Sequence, residues 1–175
     1  MSSQALPGLV DPIRYAEEGR QLEGSIELAR MPRLAGMLLD SAGAVTVTLA
    51  FGLDEDGTPC LRGGYQANVS VLCQRCLQAM RLALAGEFAL AMVADEQAAA
   101  SLAERYNPLL VGDEPISLAE IIEDELILEL PMVPRHELSA CPAAGAPWFA
   151  GNPGESAGAV AKNPFAALAA LKQPK

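Results

Sequence analysis

Val45-Thr46-Val47-Thr48-Leu49-Ala50-Phe51 alternates apolar and polar residues without a break and is rich in β-branched side chains. That is the pattern of a strand with one face buried and the other in water. The run ends at Asp54-Glu55-Asp56-Gly57, a turn sequence, and Cys60-Leu61-Arg62 begins a return strand. Gly63-Gly64 in that return strand is a candidate bulge, and Tyr65 to Leu72 carries it to Cys73. Working outward, Leu22 to Leu28 alternates in the same way before the first strand, and Met80 to Val93 alternates after the second. Sequential strands joined by short turns predict an α+β fold, with an antiparallel sheet or partly open β-barrel and a few packed helices.

The helical segments lie on either side of this sheet in the sequence. Asp11 before Pro12 is a cap followed by a first-turn proline, which predicts a short helix through Gly19. Pro32 opens a second, over Met31 to Leu39, and Ala94 to Arg105 reads as a third. Tyr106 to Asp113, broken by Pro108, reads as extended chain or loop. Ser117 and Glu120 have capping-box spacing. The helix they start places Leu118, Ile121, Ile122 and Leu126 on one face, with Glu120, Glu123 and Asp124 opposite and Glu125 and Glu129 within the apolar arc. Pro131 ends it, and Pro134 prevents its resumption.

These patterns place a single domain over residues 1–140. Residues 141–161 have the Ala/Gly/Pro-rich composition of a flexible linker, and 162–175 a short terminal helix with Phe165, Leu168 and Leu171 at helical spacing. Hydrophobic residues make up 51% of the 175, enough for a core, but aromatics are only 5%, so Leu, Val and Ile must build it. No apolar run reaches the ~18 residues that span a bilayer, and the first residues lack the basic and apolar regions of a signal peptide. The expectation is a cytoplasmic protein with no membrane contact. In that compartment four cysteines are thiols or metal ligands rather than structural disulfides. A net charge of −10 argues against a broad phosphate-binding surface.

Chemistry concentrates at Cys73-Gln74-Arg75-Cys76, a Cys-x-x-Cys pair at the end of a strand. Two thiols at this spacing close on one metal ion or on each other. A zinc site would take Cys73 and Cys76 as a knuckle and Cys141 as third ligand, with His136 or Cys60 completing the tetrahedron. Free buried thiols and thiol-redox use are the alternatives. Glu125 and Glu129 are candidates for an acid/base pair, but such carboxylates more often pair with an arginine, here Arg75 or Arg135. The chain has no phosphate-binding loop, no dinucleotide fingerprint, no nucleophile elbow and one histidine, so the sequence offers little to an enzyme or a small-molecule substrate.

Five stretches together resemble one family: Asp11-Pro12-Ile13-Arg14, Leu72-Cys73-Gln74-Arg75-Cys76, Ile122-Glu123-Asp124-Glu125-Leu126-Ile127-Leu128-Glu129-Leu130-Pro131, His136 followed by Cys141, and Asn163-Pro164-Phe165-Ala166-Ala167-Leu168. Their order and spacing are similar to the bacterial YceD family, the large ribosomal RNA subunit accumulation proteins. The resemblance implies a role in synthesis, processing or stability of 23S rRNA, with a pre-large-subunit particle, a ribosomal protein or 23S rRNA as partner. It implies no defined catalytic activity. Some members look as though they carry two Cys-x-x-Cys motifs, which implies metal binding. Here Pro142 and Ala143 follow Cys141, so a four-thiolate site does not carry over. Together with the negative charge, the family role points to action through protein contacts. Arg75 and Glu125 are candidate binding residues, and the terminal segment with Lys162, Phe165 and Lys172 is the candidate contact arm. A thiol-redox or metal-dependent enzyme centred on the Cys-x-x-Cys pair is the alternative.

Overall fold

A computed structural model describes residues 6–102 and 106–143. In chain order these form β1 (Leu9–Val10), α1 (Pro12–Glu17), β2 (Gln21–Glu27), α2 (Pro32–Ala35), β3 (Ala44–Leu53), β4 (Pro59–Leu72), β5 (Ala79–Val93), α3 (Glu96–Ala99), β6 (Asn107–Leu110), β7 (Ile116–Ser117) and α4 (Leu118–Glu129). Single 3-10 turns lie at Leu28–Arg30 and Leu138–Ala140. Strands β2 to β6 make one five-stranded open sheet in sequence order, and β1 and β7 pair separately as a two-stranded ribbon. The β2–β3, β3–β4 and β4–β5 pairs are antiparallel and β5–β6 is parallel. The α+β class therefore stands, and the barrel alternative gives way to an open, mixed sheet.

Alternation in β3 does what its sequence dictates. Val45, Val47, Leu49 and Phe51 are buried while Thr46, Thr48 and Ala50 are exposed. The inward side chains of β4 and β5 join them, and Leu118, Ile121, Ile122 and Leu126 of α4 complete the same core. Burial of side chains such as Leu61 and Ile122 contributes roughly 1.5–3 kcal/mol each.

Gly63 and Gly64 do not form a bulge. They stay in register opposite Leu49 and Thr48 on one side and Phe88 and Glu87 on the other. The inward glycine serves packing: a Cβ at Gly63 would run into the Phe88 ring and come within 2.9 Å of Leu49 Cδ2. Gly86 gives Tyr65 the same clearance from across the strand pair. The two rings then stack with centroids 6.4 Å apart.

Three further segments depart from the sequence pattern. The helix from Pro32 stops at Ala35, leaving Met37 and Leu39 exposed. The helix after β5 is one turn, Glu96–Ala99, capped by the Asp95 carboxylate on the Ala98 N–H at 2.8 Å. The stretch beyond Tyr106 holds the edge strand β6, where Pro108 is tolerated because an edge need not donate on both sides.

Glu123 is the clearest correction. Periodicity puts it on the solvated face of α4, yet it is only 2% exposed. Its carboxylate accepts the backbone N–H groups of Arg33 at 2.7 Å and Leu34 at 2.9 Å, and the Arg33 guanidinium closes on it at 2.9 Å. It thus satisfies donors at the start of α2 that have no partner within that helix. Of the linker expected over 141–161, residues 141–143 are described and Cys141 is buried; the rest of it and the terminal helix expected over 162–175 lie outside the described residues.

Candidate metal centre

The β4–β5 pairing ends at Leu72 opposite Ala79, so Cys73 to Gln78 must reverse the chain. Cys73 N–H donates to the Gln78 carbonyl at 2.9 Å, and Leu77 N–H donates to the Cys73 carbonyl at 2.9 Å. Leu77 sits at φ +57°, the only non-glycine residue in the left-handed region among those described. A leucine there is unfavourable by roughly 1–2 kcal/mol, so the surrounding contacts must hold it. The result is a knuckle that turns both thiols toward the chain leaving α4.

That chain is shaped by its prolines. Leu130, held extended before Pro131, ends α4. The Pro134 carbonyl then accepts the Gln74 N–H at 2.8 Å, which pins the segment against the knuckle. His136 follows, and the 3-10 turn Leu138–Ala140 delivers Cys141.

Ligand atoms of Cys73, Cys76, His136 and Cys141 all lie within 4.8 Å of one another. His136 Nδ1 stands 3.4 Å from Cys76 Sγ, and the His136 backbone N–H donates to Cys73 Sγ at 3.4 Å. Donor atoms around one tetrahedral zinc stand about 3.5–3.8 Å apart, given Zn–S near 2.3 Å and Zn–N near 2.0–2.1 Å. Three thiols and one imidazole at this spacing fit such an ion, and Cys73 and Cys141 are buried as a structural site requires. Burial pushes the Cys73 thiol up. Backbone N–H groups of Cys76, His136 and Arg75, with the Cys76 thiol, outweigh it and bring Cys73 down to about 5. Burial raises Cys76, and the neighbouring thiols of Cys73 and Cys141 add to the rise against a lowering contact from the Gln78 backbone.

Other candidate residues lie elsewhere or act differently. Cys60 is buried with Ala91 and Tyr106, apart from the cluster, so His136 is the fourth member. Arg75 lies in the knuckle itself, with a buried Nη1 that has no hydrogen-bond partner. Glu125 is half-buried and, among the described residues, has no ion pair with Arg75 or Arg135. Burial, then the charge of Asp124, raises its carboxyl. The acids of α4 that take an arginine are Glu123 and Asp124, because Arg33 at the start of α2 packs over both. Lys162, Phe165 and Lys172 lie outside the described residues. Sequence reasoning missed Leu77 and Pro134. A positive φ after a second knuckle cysteine would be legible as a glycine, and leucine conceals it.

The fold and this centre define a class: an α+β domain with an open sheet, one of whose hairpins is tied to a distal segment by three cysteines and a histidine. A family model described as large ribosomal RNA subunit accumulation protein YceD matches residues 61–172. A Haemophilus influenzae protein named large ribosomal RNA subunit accumulation protein YceD is 34% identical over 174 residues, covering 99% of this chain and 99% of its own length. The chain belongs to the YceD family. No solved structure matches it.

Proposed function

We propose that this chain is a zinc-stapled assembly factor needed for 23S rRNA accumulation, acting through protein contacts on the pre-large-subunit particle. The observation that carries the reading is the end-to-end likeness to the H. influenzae protein, whose name is its role in large-subunit rRNA accumulation. Cys73, Cys76, His136 and Cys141 would hold the zinc, and its contribution is structural. A net charge of −10 favours contact with protein over a general grip on RNA. In this reading the domain expected over residues 1–140 carries the metal centre together with Cys141, the following residues to 161 are a linker, and the stretch with Lys162, Phe165 and Lys172 is a contact arm. The site of action is the cytoplasm, where ribosomes are built. Among the described residues no helix is long and apolar enough to cross a membrane.

A thiol-redox reading has one observation in its favour, the lowered Cys73 thiol. Cys73 has no exposed surface, however, and thiol exchange requires access. A ligand role uses the same thiolate without that requirement. The deciding experiment measures the ratio of 23S to 16S rRNA in a strain lacking the gene, with and without a plasmid copy. The ratio falls, the wild-type copy restores it and a Cys73→Ser copy does not. An unchanged ratio would overturn the assembly reading and return thiol chemistry to the lead.

A further inference from the structure

Four large apolar side chains stand in solvent around the cysteine–histidine cluster. Met132 is 99% exposed, Leu77 68%, Leu138 67% and Val133 50%. Leu77 adjoins Cys76, and Leu138 lies between His136 and Cys141. Met132 and Val133 precede Pro134, whose carbonyl is bonded to the knuckle. None is more than four chain positions from a cluster residue, so each Cα lies within about 14 Å of one. Apolar side chains gathered this way on a surface mark a place where something binds.

The charge around them runs against the rest of the molecule. Residues 72–81 and 131–141 carry Arg75, Arg81 and Arg135 against the single acid Glu137, in a chain whose net charge is −10. The buried Nη1 of Arg75 has no acceptor. Arg81 and Arg135 are exposed and open to an acceptor from outside. The chemistry of the acceptor can be narrowed. These two stretches contain no Phe, Tyr or Trp on which a base could stack, and three cations make a poor track for a phosphate backbone. Aliphatic side chains beside arginines suit a protein segment instead.

We infer that the knuckle end is a docking surface for an acidic, aliphatic-rich segment of a partner protein. Leu77, Met132, Val133 and Leu138 take the segment's apolar side chains, and the exposed Arg135 takes a carboxylate. The inference rests on the assembly reading and sharpens it. Net charge alone points to a basic partner surface, whereas this end of the molecule selects an acidic one. The metal cluster beneath holds the two halves of the surface together, so little ordering remains to be done on binding.

The test uses the full chain, zinc-loaded, added to pre-large-subunit particles purified from a strain lacking the gene. Met132→Ser with Val133→Ser, and separately Arg135→Glu, change exposed residues only, so zinc content and Tm stay at wild-type values. Co-sedimentation falls about tenfold or more in each. Photo-crosslinking from p-benzoylphenylalanine in place of Met132 yields an adduct with a peptide rich in Asp or Glu and Leu, Ile or Val. The same probe in place of Gln66, on the opposite face of the sheet, yields none. Adducts with nucleotides, with a second copy of this chain or with a basic peptide would overturn the inference, as would variants that co-sediment like wild type. Wild-type chain absent from the particle fractions would overturn the assembly reading and this inference with it. Wild-type association that survives both variants overturns the surface alone.

Discussion

The β3–β4 and β4–β5 hairpins belong to one sheet and are closed by short reversals, yet they are built for different ends. At the first, the backbone and carboxylate bonds that close the turn are local. Asp54 Oδ1 accepts the N–H groups of Asp56 at 2.9 Å and Thr58 at 2.8 Å, and Asp54 N–H donates to the Thr58 carbonyl at 3.0 Å. The residue that must adopt positive φ is Gly57, at +79°, where it costs little. At the second, the position with positive φ is Leu77, and its neighbours reach out of the turn to Pro134, His136 and Cys141. A turn that only has to reverse the chain satisfies itself. A turn that has to hold a site accepts strain and draws its stability from elsewhere in the sequence.

The largest effect is expected at the second turn. If the cluster holds zinc as proposed, Cys141→Ser removes a ligand from outside the hairpin, and the expected outcome is loss of zinc by metal analysis and a large fall in Tm that added zinc does not reverse. Chelation of the wild-type protein should reproduce the fall. Asp54→Ala at the first turn, by contrast, loses two local hydrogen bonds and should cost about 1–2 kcal/mol in urea unfolding, with zinc unaffected.

The two positions with positive φ should respond in opposite ways. Gly57→Ala should destabilise by about 1–2 kcal/mol, since alanine disfavours that conformation. Leu77→Gly should lie within about 1 kcal/mol of wild type, because relief of strain offsets the greater freedom of the unfolded chain. Equal losses at the two positions would show that the turns do not differ in this way.

The turns also separate by pH. Cys73 in the folded chain is lowered from its ordinary value of 9.0 to about 5, so the unfolded state binds more protons between those values. The contribution to stability is therefore complete above about pH 9 and is lost as pH falls through about 5. Without metal, Tm should decline across that window, and Cys73→Ser should flatten the decline. Gly57→Ala, in the other turn, should leave the slope unchanged.

What the sequence revealed follows from how local each feature is. The strand Val45 to Phe51, the Asp11 cap and the Ser117 start of α4 are written in spacings of two to four residues, and each was legible. The Cys73–Cys76 pair and its convergence on Cys141 and His136 were legible as candidates, because thiols have few uses. Glu123 was not, since its burial depends on Arg33, 90 positions away, and periodicity carries no record of that. The choice between His136 and Cys60 was likewise a matter of tertiary placement. Parallel pairing of β6, with Pro108 in it, was hidden because an edge strand has little periodicity to show.

The distance in sequence between the parts of the cluster has a consequence for the order of events during synthesis. His136 is 60 positions beyond Cys76. At ribosomal speeds of 5–20 residues per second, roughly 3 to 12 s pass between their synthesis. During that interval the newborn hairpin displays two thiols with no partners. Closure waits for the distal segment, so a sealed cluster certifies that translation has run past α4, and a product truncated before Cys141 cannot seal it.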